Sequence, residues 1–123
     1  YKKCLPTYIQ NMMKQVKKLT SVGSKSSTIK ASNDYAFLLS EIEIFGSTTY
    51  SYAGEGKQYQ YFKNATANIY KKPRSSSSHV SGYYWERSPY SNSGNGFCHV
   101  SLSGNSYYSS ASYTRGIVPC LCI

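Results

Sequence analysis

Apolar positions fall into a few short patterns along this chain. Leu5, Tyr8, Ile9, Met12, Val16 and Leu19 recur at helical spacing, and Pro6 suits a first turn. Lys14, Lys17 and Lys18 collect where the dipole of a helix C-terminus favours cations. The spacing predicts a helix over 5–19, with its lysines facing solvent, a neighbouring domain or an anionic surface and its apolar stripe on its own domain rather than on a membrane. Residues 21–32, rich in Ser and Lys, read as a loop. Tyr35–Gly46 opens as a continuous apolar run and turns to alternation at Glu41–Ile44, the pattern of a buried strand that bends at Gly46.

Beyond Gly46 the pattern thins. Residues 47–57 have few apolar anchors and contain Gly54 and Gly56, so they read as an irregular excursion. Tyr59, Tyr61 and Phe62 mark a return to the core as a short helix or a turn. Lys71–Ser78 reads as an exposed connector. Four β-like pieces follow, at 83–87, 97–102, 107–113 and 117–123, with Ser103-Gly104-Asn105 as a hairpin signal. The class is α+β: one or two helices, a twisted antiparallel sheet and long irregular loops, in one domain over 1–123. The chain reads as the C-terminal part of a longer protein.

Charge and composition narrow the chemistry. The net charge is +9, but all seven lysines of residues 1–33 lie at the front, and the last third is almost uncharged. Nucleic-acid binders interleave arginine with aromatics along the reading surface, whereas only three Arg occur here, so no nucleic-acid partner is expected. No run approaches the length of a membrane span, and no membrane insertion is expected. Four cysteines, Cys4, Cys98, Cys120 and Cys122, lack zinc-site spacing and read as buried thiols rather than disulfides.

Only two histidines occur, His79 and His99, and all five acids lie at or before Glu86. A nucleophile–base–acid triad therefore has no local arrangement, and the chain does not read as an enzyme. Calcium needs a carboxylate cluster that the C-terminal part lacks; neither metal nor cofactor is expected. Trp85 reads as a core anchor. The candidate partners of Arg87 are Glu86, Glu41 and Glu43, a buried arginine then tying loops together through its fork of donors.

The segment Ser88–Tyr113 is different. Its 26 residues hold nine Ser, four Tyr, three Asn and three Gly, and no charge. Tyrosine offers a large rigid contact area with a hydroxyl at its tip, and Ser, Gly and Asn offer adaptable hydrogen bonding, as in an antibody-like paratope. Phe97, Cys98, Val100 and Leu102 alternate with polar residues, so Val100 and Leu102 are expected inward, with His99, Ser101 and Ser103 on the other side. Lys, Glu, Gln, Met and Trp, whose codons all end in a purine, fill 22 of the first 87 positions and none after Glu86. Every residue there is reachable by replacing the adenines of pyrimidine-ended Asn codons.

Tyr84-Trp-Glu-Arg-Ser-Pro89, Phe97-Cys-His-Val100, Ser103-Gly104 and Gly116-Ile-Val-Pro-Cys-Leu-Cys-Ile123 resemble the C-terminal pattern of a large group of phage and gut-bacterial domains. That group is similar to the variable proteins of diversity-generating retroelements, whose fold is C-type-lectin-like and related to formylglycine-generating enzymes. Leu38–Gly46 and Gly54–Tyr59 resemble its upstream segments.

The resemblance implies a scaffold of Trp85, Arg87, Ser88, Pro89, Gly104, Gly116 and Pro119. The displayed, ligand-binding positions would then be drawn from Tyr90, Ser91, Asn92, Ser93, Asn95, His99, Ser101, Ser103, Asn105, Ser106, Tyr107, Tyr108, Ser110, Ser112 and Tyr113. It also implies a binding module on a phage virion or a bacterial cell surface. Its partner would be a protein or glycan on a bacterial surface, with neighbouring domains or a homo-oligomer as further contacts. The alternative is an assembly domain packed against a neighbouring subunit.

Overall fold

A computed structural model of the chain describes residues 2–64 and 82–123. The connector Lys71–Ser78 and His79 lie outside the described residues. After a 3₁₀ turn at Lys2–Cys4, helix α1 spans only Thr7–Met12. It stops because Met13 is extended and the amide of Lys14, instead of continuing the helix, donates to the Cys122 carbonyl at 2.8 Å. The expected helix over 5–19 is thus corrected: its second half is strand β1, Val16–Gly23. Val16, Thr20 and Val22 are β-branched, and β1 pairs antiparallel with β2, Ser26–Asp34, through a turn with Ser24 and Lys25 at positive φ. The expected loop over 21–32 is therefore a hairpin, legible in neither apolar period because β2 is mostly exposed. Lys18, expected on the surface, is buried.

The run at 35–46 also divides. Only Ala36–Phe37 is a strand, β3, while Glu41–Phe45 is helix α2. Ser40 and Glu43 close a capping box: the Glu43 amide donates to Ser40 Oγ at 3.4 Å, and the Ser40 amide to Glu43 Oε2 at 3.0 Å. Gly46 ends the helix at φ 72, and its amide reaches the Ile42 carbonyl at 2.9 Å. Residues 47–57 hold no helix or strand, and helix α3 spans Gln60–Asn64.

Strands β4 (Tyr84–Pro89), β5 (Gly96–Val100) and β6 (Ser106–Ser110) form an antiparallel sheet in that order. β7, Cys120–Leu121, pairs with β3. The class is α+β, with few short helices and antiparallel sheets. The apolar core is small: Ile44, Tyr84 and Val100, flanked by Leu39, Phe45 and Phe62. Leu102, expected inward, is 54% exposed, because the chain has already left β5 for the turn at 101–105. All four cysteines are free; Cys98 is buried, Cys120 and Cys122 are half-buried, and Cys4, contrary to expectation, is exposed. Among the described residues no helix is long and apolar enough to cross a membrane.

Candidate functional site

The interior beneath the sheet is polar. Glu41, Glu43, Glu55 and Glu86 are all buried, and each meets a different fate. Glu43 pairs with Lys18 from β1 and with both ends of the Arg87 fork from β4. Burial pushes its carboxyl up, but the hydrogen bonds from Arg87, Lys18 and Ser40 outweigh burial and hold it below the usual range. Arg87 also donates to the carbonyls of Leu19 (3.0 Å), Leu38 (2.9 Å) and Glu55 (2.7 Å). One guanidinium thus fastens β1, the segment before α2 and the 47–57 excursion to β4. Of its three candidate partners, Glu43 is the one it binds.

Glu55 accepts from the Ser21 amide at 2.8 Å and from the Ser88 hydroxyl, while burial keeps its carboxyl above the usual range. Ser88 Oγ in turn accepts from the Glu41 amide at 2.9 Å. Glu41 holds the loop above it, accepting from the amides of Tyr50 (3.1 Å) and Ser51 (2.8 Å), and from the hydroxyls of Ser51 and Ser106 (both 2.7 Å). Neither Glu86 oxygen has a hydrogen-bond partner. Burial, with the charges of Glu41 and Glu55, pushes this carboxyl far up.

On this frame stands a cluster of four tyrosines. The Tyr90 and Tyr108 rings are stacked at 3.7 Å between centroids and 8° between planes. Tyr107 lies 4.9 Å from Tyr108, and Tyr50 meets Tyr108, Tyr107 and Tyr90 at 5.4, 5.5 and 6.4 Å. The register puts Tyr108 opposite Cys98 and Tyr107 opposite His99, on opposite faces of edge strand β6, so their rings fold round that edge. Tyr107 is 50% exposed, whereas Tyr90 and Tyr108 are half-buried against one another. The contact with Tyr90 raises the Tyr108 phenol above its ordinary pKa.

The other displayed positions separate into two groups. Ser91, Asn92, Ser93 and Asn95 form the β4–β5 loop beside the cluster, where Tyr50 O accepts from the Ser91 amide at 2.8 Å and Tyr52 OH donates to Ser91 O at 2.9 Å. Ser110 and Ser112 adjoin that loop, their hydroxyls 3.0 Å apart, and Ala111 N donates to Asn95 O at 2.9 Å. Ser101, Ser103 and Asn105 bond among themselves in the β5–β6 turn, at the far end of β5, about 17 Å away by strand rise. Tyr113 is 58% exposed.

Two displayed positions are corrected. His99 is on the expected face but only 1% exposed, because Tyr83, Trp85 and Tyr107 ring it at 5.3, 6.0 and 6.0 Å. Ser106 spends its hydroxyl on the Glu41 carboxylate. His99 Nε2 lies 3.0 Å from Ser109 Oγ, but its Nδ1 has no partner, so the pair lacks the acid that orients a catalytic histidine.

Among the scaffold positions, Pro89 is buried against Gly23, and Gly104 closes the β5–β6 turn at φ 83. Gly116 lies beside β4, its carbonyl accepting from the Trp85 amide at 2.9 Å, and Pro119 is half-buried just before β7. Trp85, expected as a core anchor, is instead half-buried and lines an open apolar cavity of about 430 Å³ with Leu38, Phe97, Ala111 and Ile117. Among the described residues no group of three or more His, Cys, Asp or Glu side chains is placed to hold a metal ion.

The family model described as "Domain of unknown function (DUF6273)" matches residues 1–123. The chain belongs to this family. No curated protein and no solved structure matches it. In this DUF6273 domain the residues missing from the sequence reading are Tyr50, Tyr52, Tyr83, Ser109 and Arg115. Tyr50 and Tyr52 carried a signal: they stand among Ser, Thr, Ala and Gly with no large aliphatic neighbour, a hydroxyl-rich setting like that of the C-terminal segment.

Proposed function

We propose that the domain is a non-catalytic ligand-binding module of C-type-lectin-like fold, a diversified variable protein carried on a phage virion or a bacterial surface. Its contact surface is the tyrosine cluster with the 90–95 loop and Ser110–Tyr113. The observation that carries the reading is the cluster of Tyr50 with the stacked Tyr90, Tyr108 and Tyr107, rooted through the Tyr50 amide and the Ser106 hydroxyl in the buried carboxylate of Glu41. Rings fixed before binding lose little entropy on contact, and aromatic anchors of this kind dominate interface energies. The Ser, Asn and Gly around them supply uncharged hydrogen bonding.

Replacing Tyr107 and Tyr108 together by Ala is expected to abolish adhesion to the bacterial target, with a loss of about 1–2 kcal/mol in stability from the broken ring contacts. A variant that adheres unchanged, or that fails to fold, defeats the reading. The assembly alternative draws on a separate observation: Phe97, Ile117 and Val118 expose apolar area beside the Trp85 cavity, which suits a neighbouring subunit. Sequencing the locus across a population separates the two. Substitutions confined to the displayed positions favour the diversified binder, and an unvarying segment favours assembly.

A further inference from the structure

Arg115 is the only charged residue after Arg87 in the chain. Among the described residues the ion pairs are Lys18–Glu43 and Arg87–Glu43, and neither involves it. Its guanidinium carbon lies 4.4 Å from the ring centre of Tyr83 and 5.2 Å from that of Tyr113, so two aromatic faces fix the plane of the fork. Its donors are poorly used. Nη1 reaches only the adjacent Thr114 carbonyl at 3.4 Å, Nη2 only Ser109 Oγ at 3.3 Å, and the buried Nε has no partner. Burial and the charge of Arg115 both lower the pKa of His99, whose Nε2 lies 3.0 Å from Ser109 Oγ. A half-buried cation held rigid, with no carboxylate partner and only long hydrogen bonds, is prepared for an anion that can take both ends of the fork.

We infer that Arg115, Ser109, Tyr83 and Tyr113 form a carboxylate subsite for an acidic sugar. Among the described residues Arg115 is the one cation at these rings, which suits a single carboxylate and not a phosphate-rich chain. The surroundings favour a sugar acid over an acidic side chain. A pyranose carries its carboxylate directly on the ring, so the ring's C–H face can lie over the exposed Tyr113 while the carboxylate meets Arg115. The inference rests on the reading of this face as a contact surface: the rings run from Tyr107 through His99 and Tyr83 to Arg115.

The test is a titration of the ¹⁵N-labelled chain, following the arginine Nε–Hε signals by NMR, with glucuronate, glucose and N-acetylaspartate methylamide as probes. Glucuronate is expected to shift the Arg115 signal saturably, and the other two are not. Arg115→Gln is expected to weaken binding about tenfold or more, measured on the tyrosine signals, as loss of a charge-assisted pair implies. Should that variant unfold, Tyr113→Ala, which removes only an exposed ring, is expected to weaken it about threefold. No saturable shift, a shift that survives in the variants, or an equal response to the aspartate derivative overturns the assignment. Adhesion lost in the Tyr107/Tyr108 variant alongside a silent glucuronate titration sinks this subsite and leaves the contact-surface reading standing.

Discussion

The two sides of the β4–β5–β6 sheet solve opposite problems with opposite chemistry. Beneath it, Glu41, Glu43 and Glu55 lie buried and fully engaged, and their partners come from segments distant in sequence. Across it and round its β6 edge lie, among the described residues, rings and hydroxyls with one cation and no acid. Buried charge pairs are unforgiving of geometry, since a partner lost leaves an uncompensated ion, so they hold loops in a single arrangement. Hydroxyls and stacked rings tolerate exchange. The difference teaches how a small apolar core of Ile44, Tyr84 and Val100 can carry an irregular surface: order comes from ionic and hydrogen-bonded knots more than from apolar volume.

The sharpest way to break this comparison is at Arg87. Its fork holds Glu43 and three carbonyls from separate segments, so Arg87→Ala leaves the Glu43 carboxylate with Lys18 and the Ser40 amide and strands those carbonyls. The expected loss is about 3–5 kcal/mol, read as a lower midpoint in urea denaturation, and the tyrosine surface is lost with it. A loss under about 1 kcal/mol would mean that the apolar core sets the fold unaided.

Glu86 gives the next effect, and its sign differs from that of Glu43. Its folded pKa is raised, by burial first and then by the charges of Glu41 and Glu55, so its contribution is fully present below the unfolded carboxylate pKa and is lost as pH rises through the folded value. Glu43, held low, contributes stability above the unfolded pKa that is lost as pH falls through the folded one. Glu86→Gln keeps the shape and removes the titration. It is expected to stabilise the domain at neutral pH and to flatten the decline on the alkaline side, with the acid limb unchanged. A variant with the wild-type profile in thermal melts across pH would show that Glu86 does not titrate in this environment.

The sequence carried the class and the three strands of the sheet, because alternation and turn residues are local signals. It did not carry the β1–β2 hairpin. Val16 and Leu19 fit a helical period by chance, and the decisive fact, the Lys14 amide captured by Cys122, is a contact across the length of the chain. The helix at Glu41–Phe45 was legible in Ser40-x-x-Glu43, a capping box hidden inside an apolar run. Its acids alternate with Ile42 and Ile44 as in a strand, and only tertiary structure shows them turned inward from a helix. Among the displayed positions, alternation put His99 on the correct face, but no period reports that three rings close over it.

The smallest effect asks whether the contact surface is one patch or two. Asn92 lies in the β4–β5 loop beside the tyrosine cluster, and Ser103 in the β5–β6 turn at the other end of the strands. Both are exposed, and neither touches the buried carboxylates, so Asn92→Ala and Ser103→Ala are each expected to change stability by less than about 0.5 kcal/mol. Their effects on adhesion are expected to differ, with Asn92→Ala weakening it and Ser103→Ala leaving it as it was, because only the first end carries the rings. Equal losses from both would extend the surface along the whole hairpin. A loss confined to Ser103→Ala would move it to the turn and leave the tyrosine cluster as part of the frame.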